Sequence, residues 1–167
     1  VDQVDLLLEL RDLLRDRPDV RGEYQALFEH VFVDELQDTD PLQAEIVLFL
    51  CEAGARASTW REVTLVPGKL TVVGDPKQSI YRFRRADVAV YANLREIVQR
   101  GPHLVSRLTA SFRSHPSLVV WLNTRFDEVL GRAGPGKPAF DPRAGTVANE
   151  PLVAGLPGKE GPRVVVL

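Results

Sequence analysis

Leu6, Leu7, Leu10, Leu13 and Leu14 recur at helical spacing over residues 2–16, and Pro18 stops the pattern, which predicts an amphipathic helix. A short helix over 23–28 is expected next. Val31-Phe32-Val33 is too short and too uniformly apolar for an alternating surface strand, so it reads as a strand buried on both faces, as in a parallel sheet. Asp40, Pro41 and Gln43 then make a helix start, with Asp40 as cap, Pro41 in the first position and Gln43 reaching back. That helix should run to about residue 53 with Leu42, Ile46, Phe49 and Leu50 on one face; residues 54–68 read as loop. Leu70-Thr71-Val72-Val73 is a second buried strand ending in Gly74-Asp75. A helix over 88–99 turns Tyr91, Leu94 and Val98 inward, and 104–108 is a third strand candidate. Ser114 is placed to cap a helix carrying Leu118, Val119, Leu122, Phe126 and Leu130, closed by Gly131. Residues 131–162 hold 7 Gly and 6 Pro, more than half of the chain's 12 and 12, and read as a connector. Residues 163–167 begin a strand leading onward. Buried strands alternating with helices argue for an α/β fold, a parallel sheet flanked by helices.

Composition narrows the class. The 167 residues, 44% hydrophobic and 26% charged, suffice for a domain with a core. No apolar run of about 18 residues predicts a membrane span, and no secretory leader is visible, so a cytoplasmic protein is expected. A single cysteine, Cys51, excludes an internal disulfide, and no Cys/His pairs stand at zinc spacing. The chain begins at Val1 and has no methionine, which reads as a piece of a longer protein. The net charge of −2 hides an asymmetry. Residues 1–52 hold 14 acids against 4 arginines, a net of −10, while 77–114 hold 8 basic residues against Asp87 and Glu96, a net of +6. Such blocks are either solvated helix faces or an acidic, metal-favouring edge beside a phosphate-binding surface, and composition does not choose.

Spacing says more. Ligands of open α/β sheets gather beyond the C-terminal strand ends. Both distinctive segments fall there. A strand stopping in Asp34-Glu35 can hold one carboxylate near Mg²⁺ and leave the other to orient a water. The segment from Gly74 to Arg84 interleaves Tyr81 and Phe83 with Arg82 and Arg84, as proteins do to stack bases while gripping phosphates.

Three segments together resemble one family. Asp34-Glu35-Leu36-Gln37-Asp38-Thr39-Asp40, then Val73-Gly74-Asp75-Pro76-Lys77-Gln78-Ser79-Ile80-Tyr81, then Ser111-Phe112-Arg113-Ser114 look like motifs II, III and IV of the UvrD/Rep-type superfamily 1 helicases. Gly-Asp-Pro-Lys-Gln, with Phe83-Arg84 in place of Trp-Arg, looks closer to the RecB/AddA helicase–nuclease branch. The resemblance implies a partial RecA-like P-loop NTPase domain in residues 1–130. It implies ATP and Mg²⁺ as cofactors, single-stranded and duplex DNA as partners and, in that branch, a second helicase–nuclease subunit. By it, Asp34 would bind Mg²⁺, Glu35 would be the general base, Gln78 would contact the γ-phosphate, and Arg113 would stabilise charge there. Phe112 would stack on adenine and Gln37 would sit near the phosphates. Tyr81, Phe83 and Arg84 would touch single-stranded DNA. Leu36, Arg85 and Ser111 depart from the commonest family residues, and the three histidines match nothing in the motifs.

One expected part is missing. The Gly-Lys pairs at 68–69, 136–137 and 158–159 are followed by Leu, Pro and Glu, so none completes the phosphate-cradling Gly-x-x-x-x-Gly-Lys-Ser/Thr loop. The P-loop strand is therefore expected to lie outside these residues, and the chain alone to be inactive. A non-catalytic DNA- or partner-binding module derived from such a motor is the alternative. A metal-dependent nuclease built on Asp34, Glu35, Asp38 and Asp40 is a further one.

Overall fold

Asp2 opens helix α1 (Gln3–Asp16): its carboxylate accepts the N–H groups of Val4 and Asp5 at 2.8 and 2.9 Å, and Asp5 accepts that of Asp2 in return. The reciprocal cap satisfies donors that a helix start leaves orphaned. Pro18 ends the leucine pattern and also begins α2 (Pro18–Leu27), in the position where a missing N–H costs nothing, so this helix starts well before residue 23. These elements belong to a computed structural model describing residues 2–79, 88–134, 140–141 and 146–158. The chain divides into two compact units, Val1–Leu104 and Val105–Leu167.

The first unit continues with β1 (Val31–Val33), α3 (Pro41–Cys51), β2 (Leu70–Val72) and α4 (Val88–Gln99). The two strands pair in parallel, with Val31 opposite Leu70, Phe32 opposite Thr71 and Val33 opposite Val72. Asp40 caps α3 as its sequence predicts, accepting from Leu42 and Gln43 at 2.8 and 3.0 Å while Gln43 accepts from Asp40. The helix is not one-sided, however. Ala44, Ile46, Leu48, Phe49 and Cys51 are all buried, because α3 lies against α1, α2 and α4 at once. On α1 the leucines split: Leu14 and Leu7 pack on the core, while Leu6, Leu10 and Leu13 face outward. Leu94 turns inward on α4 as expected, joined by Val90 and Ile97, whereas Tyr91 and Val98 pack only partly.

Two expectations about this unit are corrected. The strands are not buried on both faces. Successive strand residues point to opposite sides, so Val33 and Val72 reach the core while Phe32 stays 75% exposed and Thr71 is exposed beside it. Residues 54–68 are also more than a loop. Ala57 and Val63 enter the core, and this segment closes over a buried ion pair. Arg21 stacks over Phe49, donates from both terminal nitrogens to the Ala57 carbonyl at 3.0 Å and lies 3.5 Å from Glu52. Glu52 in turn accepts from the Ala57 and Arg56 N–H groups.

The second unit holds β3 (Ala110–Ser111), α5 (Pro116–Leu130), β4 (Phe140–Asp141), β5 (Thr146–Val147) and β6 (Val153–Ala154). β3 pairs in parallel with β6, and β4 with β5 in antiparallel. The expected strand at 104–108 is absent. Leu104 and Leu108 are 90% and 86% exposed, and the ladder forms two residues later, where the Val153 and Gly155 N–H groups reach the Thr109 and Ser111 carbonyls. The cap of α5 is His115, whose Nδ1 accepts the Ser117 N–H at 3.3 Å, and not Ser114. The Gly/Pro-rich stretch is tied to α5 by two asparagines. Asn123 exchanges hydrogen bonds with the Leu152 backbone at 2.8 and 2.9 Å, and buried Asn149 donates to Asp127 at 2.7 Å. The fold is thus a mixed helix and strand arrangement with small parallel sheets. Among the described residues no helix is long and apolar enough to cross a membrane. The strand expected at 163–167 lies outside the described residues.

Candidate functional site

β1 delivers two acids at its C-terminal end. Asp34 is exposed, and its Oδ1 accepts the Glu35 N–H at 2.9 Å, leaving Oδ2 unengaged among the described residues. Glu35 takes the left-handed conformation (φ 52°, ψ 44°), which costs a non-glycine residue about 1–2 kcal/mol. That kink turns the chain into a short 3-10 turn over Leu36–Asp38, buries Leu36 in the core and lets its N–H donate to the Val73 carbonyl at 2.9 Å.

β2 delivers the second segment beside it. Val73 donates to the Val33 carbonyl at 2.8 Å, extending the parallel contact past the last paired residues. Asp75 then caps the turn Pro76–Gln78, accepting from the Lys77 backbone, from Lys77 Nζ at 2.9 Å and from Gln78 Nε2 at 3.2 Å. Gln37 joins the two segments. Only 2% exposed, it donates from Nε2 to Glu35 Oε2 at 2.5 Å and accepts the Asp75 N–H on Oε1 at 3.0 Å; its own carbonyl accepts the Ser79 hydroxyl at 3.2 Å. Gly74 makes this approach feasible: a Cβ there would stand 2.9 Å from Gln37 Oε1 and 3.2 Å from the Leu36 nitrogen.

In the second unit Phe112 and Arg113 follow β3 at its C-terminal end. Phe112 is 67% exposed, with its ring laid on Gly155, where a Cβ would fall 2.6 Å from Cε1. Arg113 is exposed and has no ion pair among the described residues. Tyr81, Phe83 and Arg84 lie outside the described residues. Asp34, Glu35, Gln37 and Gln78 thus come together in one unit, with Phe112 and Arg113 neighbours in the other.

The charge blocks resolve differently from their composition. Most acids of residues 1–52 are helix caps or partners of arginines, as Asp2, Asp40, Asp16 with Arg15, Glu45 with Arg11, and Glu52 with Arg21 show. In the basic block, Lys77 is held by Asp75, Arg100 by Glu96 and Arg107 by Glu150. Among the described residues no three His, Cys, Asp or Glu side chains converge on a metal-sized site. Asp34, with Oδ2 open, suits Mg²⁺, which keeps several waters and takes one or two carboxylates with phosphate oxygens. Sequence reasoning missed Asp75 and Gly155. An Asp-Pro after a strand is a turn signature that could have marked Asp75; Gly155 had no sequence signal, because its need is the ring above it.

The model of the UvrD/REP helicase N-terminal domain matches residues 1–99. The chain belongs to the UvrD/Rep helicase family. It is 33% identical to the ATP-dependent DNA helicase UvrD1 of Mycobacterium leprae over 79% of its length. It is 38% identical to an ATP-dependent helicase/nuclease of Bacillus pumilus over 65%, and 32% identical to the RecBCD enzyme subunit RecB of Chlamydia trachomatis over 70%. The chain spans 16%, 8% and 10% of the lengths of these three relatives. Its relatives therefore include proteins of both helicase and helicase–nuclease type.

Proposed function

We propose that this chain is the part of an ATP-dependent DNA helicase motor that holds the water-orienting acid and the γ-phosphate-contacting turn, within a RecA-like domain. The observation carrying this reading is the juxtaposition of Asp34-Glu35 and the Asp75–Gln78 turn at adjacent C-terminal ends of two parallel strands, where α/β sheets place their ligands. In the intact protein, ATP hydrolysis would drive movement on single-stranded DNA and unwinding of duplex DNA in repair or recombination.

Asp34 would hold Mg²⁺ through its open oxygen; the ion supplies neutralisation of phosphate charge when bound. Glu35 would orient the attacking water and accept its proton. Gln78, steadied by Asp75, would report the γ-phosphate. Arg113, exposed and without an ion pair among the described residues, presents its planar donor fork to phosphate oxygens, and Phe112 offers one open ring face to adenine. Tyr81, Phe83 and Arg84 would contact single-stranded DNA. The phosphate-cradling loop, which this sequence does not contain, must come from the rest of the motor, so the isolated chain should not turn over ATP. Replacing Glu35 with Gln in the full-length protein should abolish DNA-stimulated ATPase, by at least about a hundredfold, while nucleotide binding persists. Undiminished turnover would overturn the assignment.

A further inference from the structure

We propose that Gln37 is a positioning residue that ties the Glu35 carboxylate to the 74–79 turn, so that whatever engages this turn sets where the carboxylate stands. The inference rests on the reading of Glu35 as the water-orienting base and of the segment after Gln78 as the DNA contact.

The primary amide is a connector with two unlike ends. Nε2 donates to Glu35 Oε2 and Oε1 accepts from the Asp75 N–H. Flipping it would set its oxygen against a carboxylate oxygen and its NH₂ against an N–H, so a single orientation satisfies both partners. The side chain is 2% exposed, and a buried polar link of this kind is costly to leave half-made. Its backbone is pinned as well, because the Ser79 hydroxyl donates to the Gln37 carbonyl. Three groups of the turn therefore bear on Gln37: the Asp75 N–H, the Ser79 hydroxyl and the Gly74 backbone lying against its side-chain oxygen.

The other end of the link is a carboxylate free to respond. Glu35 is exposed, and Gln37 is its one side-chain hydrogen-bond partner among the described residues. A shift of the turn on engaging DNA would move the Asp75 N–H, and Gln37 would carry that movement to the carboxylate. The burial of Gln37 makes it a link between the two motifs, in place of the direct phosphate contact expected from the sequence.

The test uses the full-length protein and measures kcat and KM for ATP with and without oligodeoxythymidine. Gln37→Met removes both ends of the link. Gln37→Glu keeps an acceptor for the Asp75 N–H but turns an oxygen towards Glu35, so it retains one contact and decides the matter should Gln37→Met fail to fold. Both should lower DNA-stimulated kcat by about ten- to a hundredfold, with KM for ATP within about twofold of wild type. The ratio of rates with and without DNA should fall towards one. A raised KM with unchanged kcat would make Gln37 a nucleotide contact and overturn the proposal, as would a wild-type stimulation ratio. Glu35→Gln run alongside separates the two readings: full turnover in that variant sinks the assignment of Glu35, whereas its inactivity beside normal stimulation in the Gln37 variants sinks only the link.

Discussion

Cys51 ends α3 with its sulfur sealed in the core, and burial pushes its thiol from the ordinary 9.0 up to about 11. The folded chain then keeps this proton over a range in which the unfolded chain has lost it. Stability is intact below about pH 9 and falls as pH rises towards 11, since the native state binds more protons across that window. Replacing Cys51 with Ala should flatten the fall in urea midpoint between these pH values relative to wild type, and the native thiol should resist iodoacetamide at neutral pH. Equal slopes for the two chains would place the titration elsewhere. At the same scale, the arrangement at Glu35 is one in which local preference yields to tertiary contact. A left-handed glutamate is unfavourable by itself, and the Leu36 hydrogen bond to Val73 together with the burial of Leu36 outweighs it.

Elements were legible where their signals are local. The caps of α1 and α3, the prolines that open α2, α3 and α5, and the Gly131 stop of α5 all act within one helical turn. The two longer strands were legible as apolar triplets, but their faces were not, because which side is covered depends on what packs there. The short β3–β6 ladder was not legible at all: two residues carry no period, and their partner lies about forty residues away. That ladder brings Gly155 beneath Phe112. Replacing Gly155 with Ala would drive a methyl group into the ring and displace it. If Phe112 stacks on adenine, KM for ATP in the full-length protein should rise about fivefold, the worth of one aromatic contact, with kcat nearly unchanged. An unaltered KM would remove Phe112 from the nucleotide contacts.

For the whole molecule, charge is distributed by pairing more than by block. The basic block crosses from one unit to the other, and several of its cations are already engaged by neighbouring acids. Its contribution to DNA binding should therefore be uneven. In the full-length protein, Arg84→Gln should weaken binding to single strands and reduce the salt dependence of log K by about 0.7, the effect of one phosphate contact. Arg107→Gln, whose guanidinium lies 2.7 Å from Glu150, should leave both nearly unchanged. Equal losses from the two substitutions would show that the block acts as one diffuse field.

The sequence by itself determined the helix boundaries, the two parallel strand triplets and the family, because caps, apolar triplets and three ordered motifs are properties of neighbouring residues. It also named the acids, the glutamine of the second turn and the arginine that the proposed function uses. Only the tertiary structure decided that Gln37 lies buried between Glu35 and Asp75, that Arg21 and Glu52 share the core, and that Phe112 rests on a glycine. Each of these joins residues about thirty or more positions apart, except the turn that bends Glu35 back to Gln37. Such contacts depend on which strand ends and helices fold against one another, and no local pattern encodes that choice.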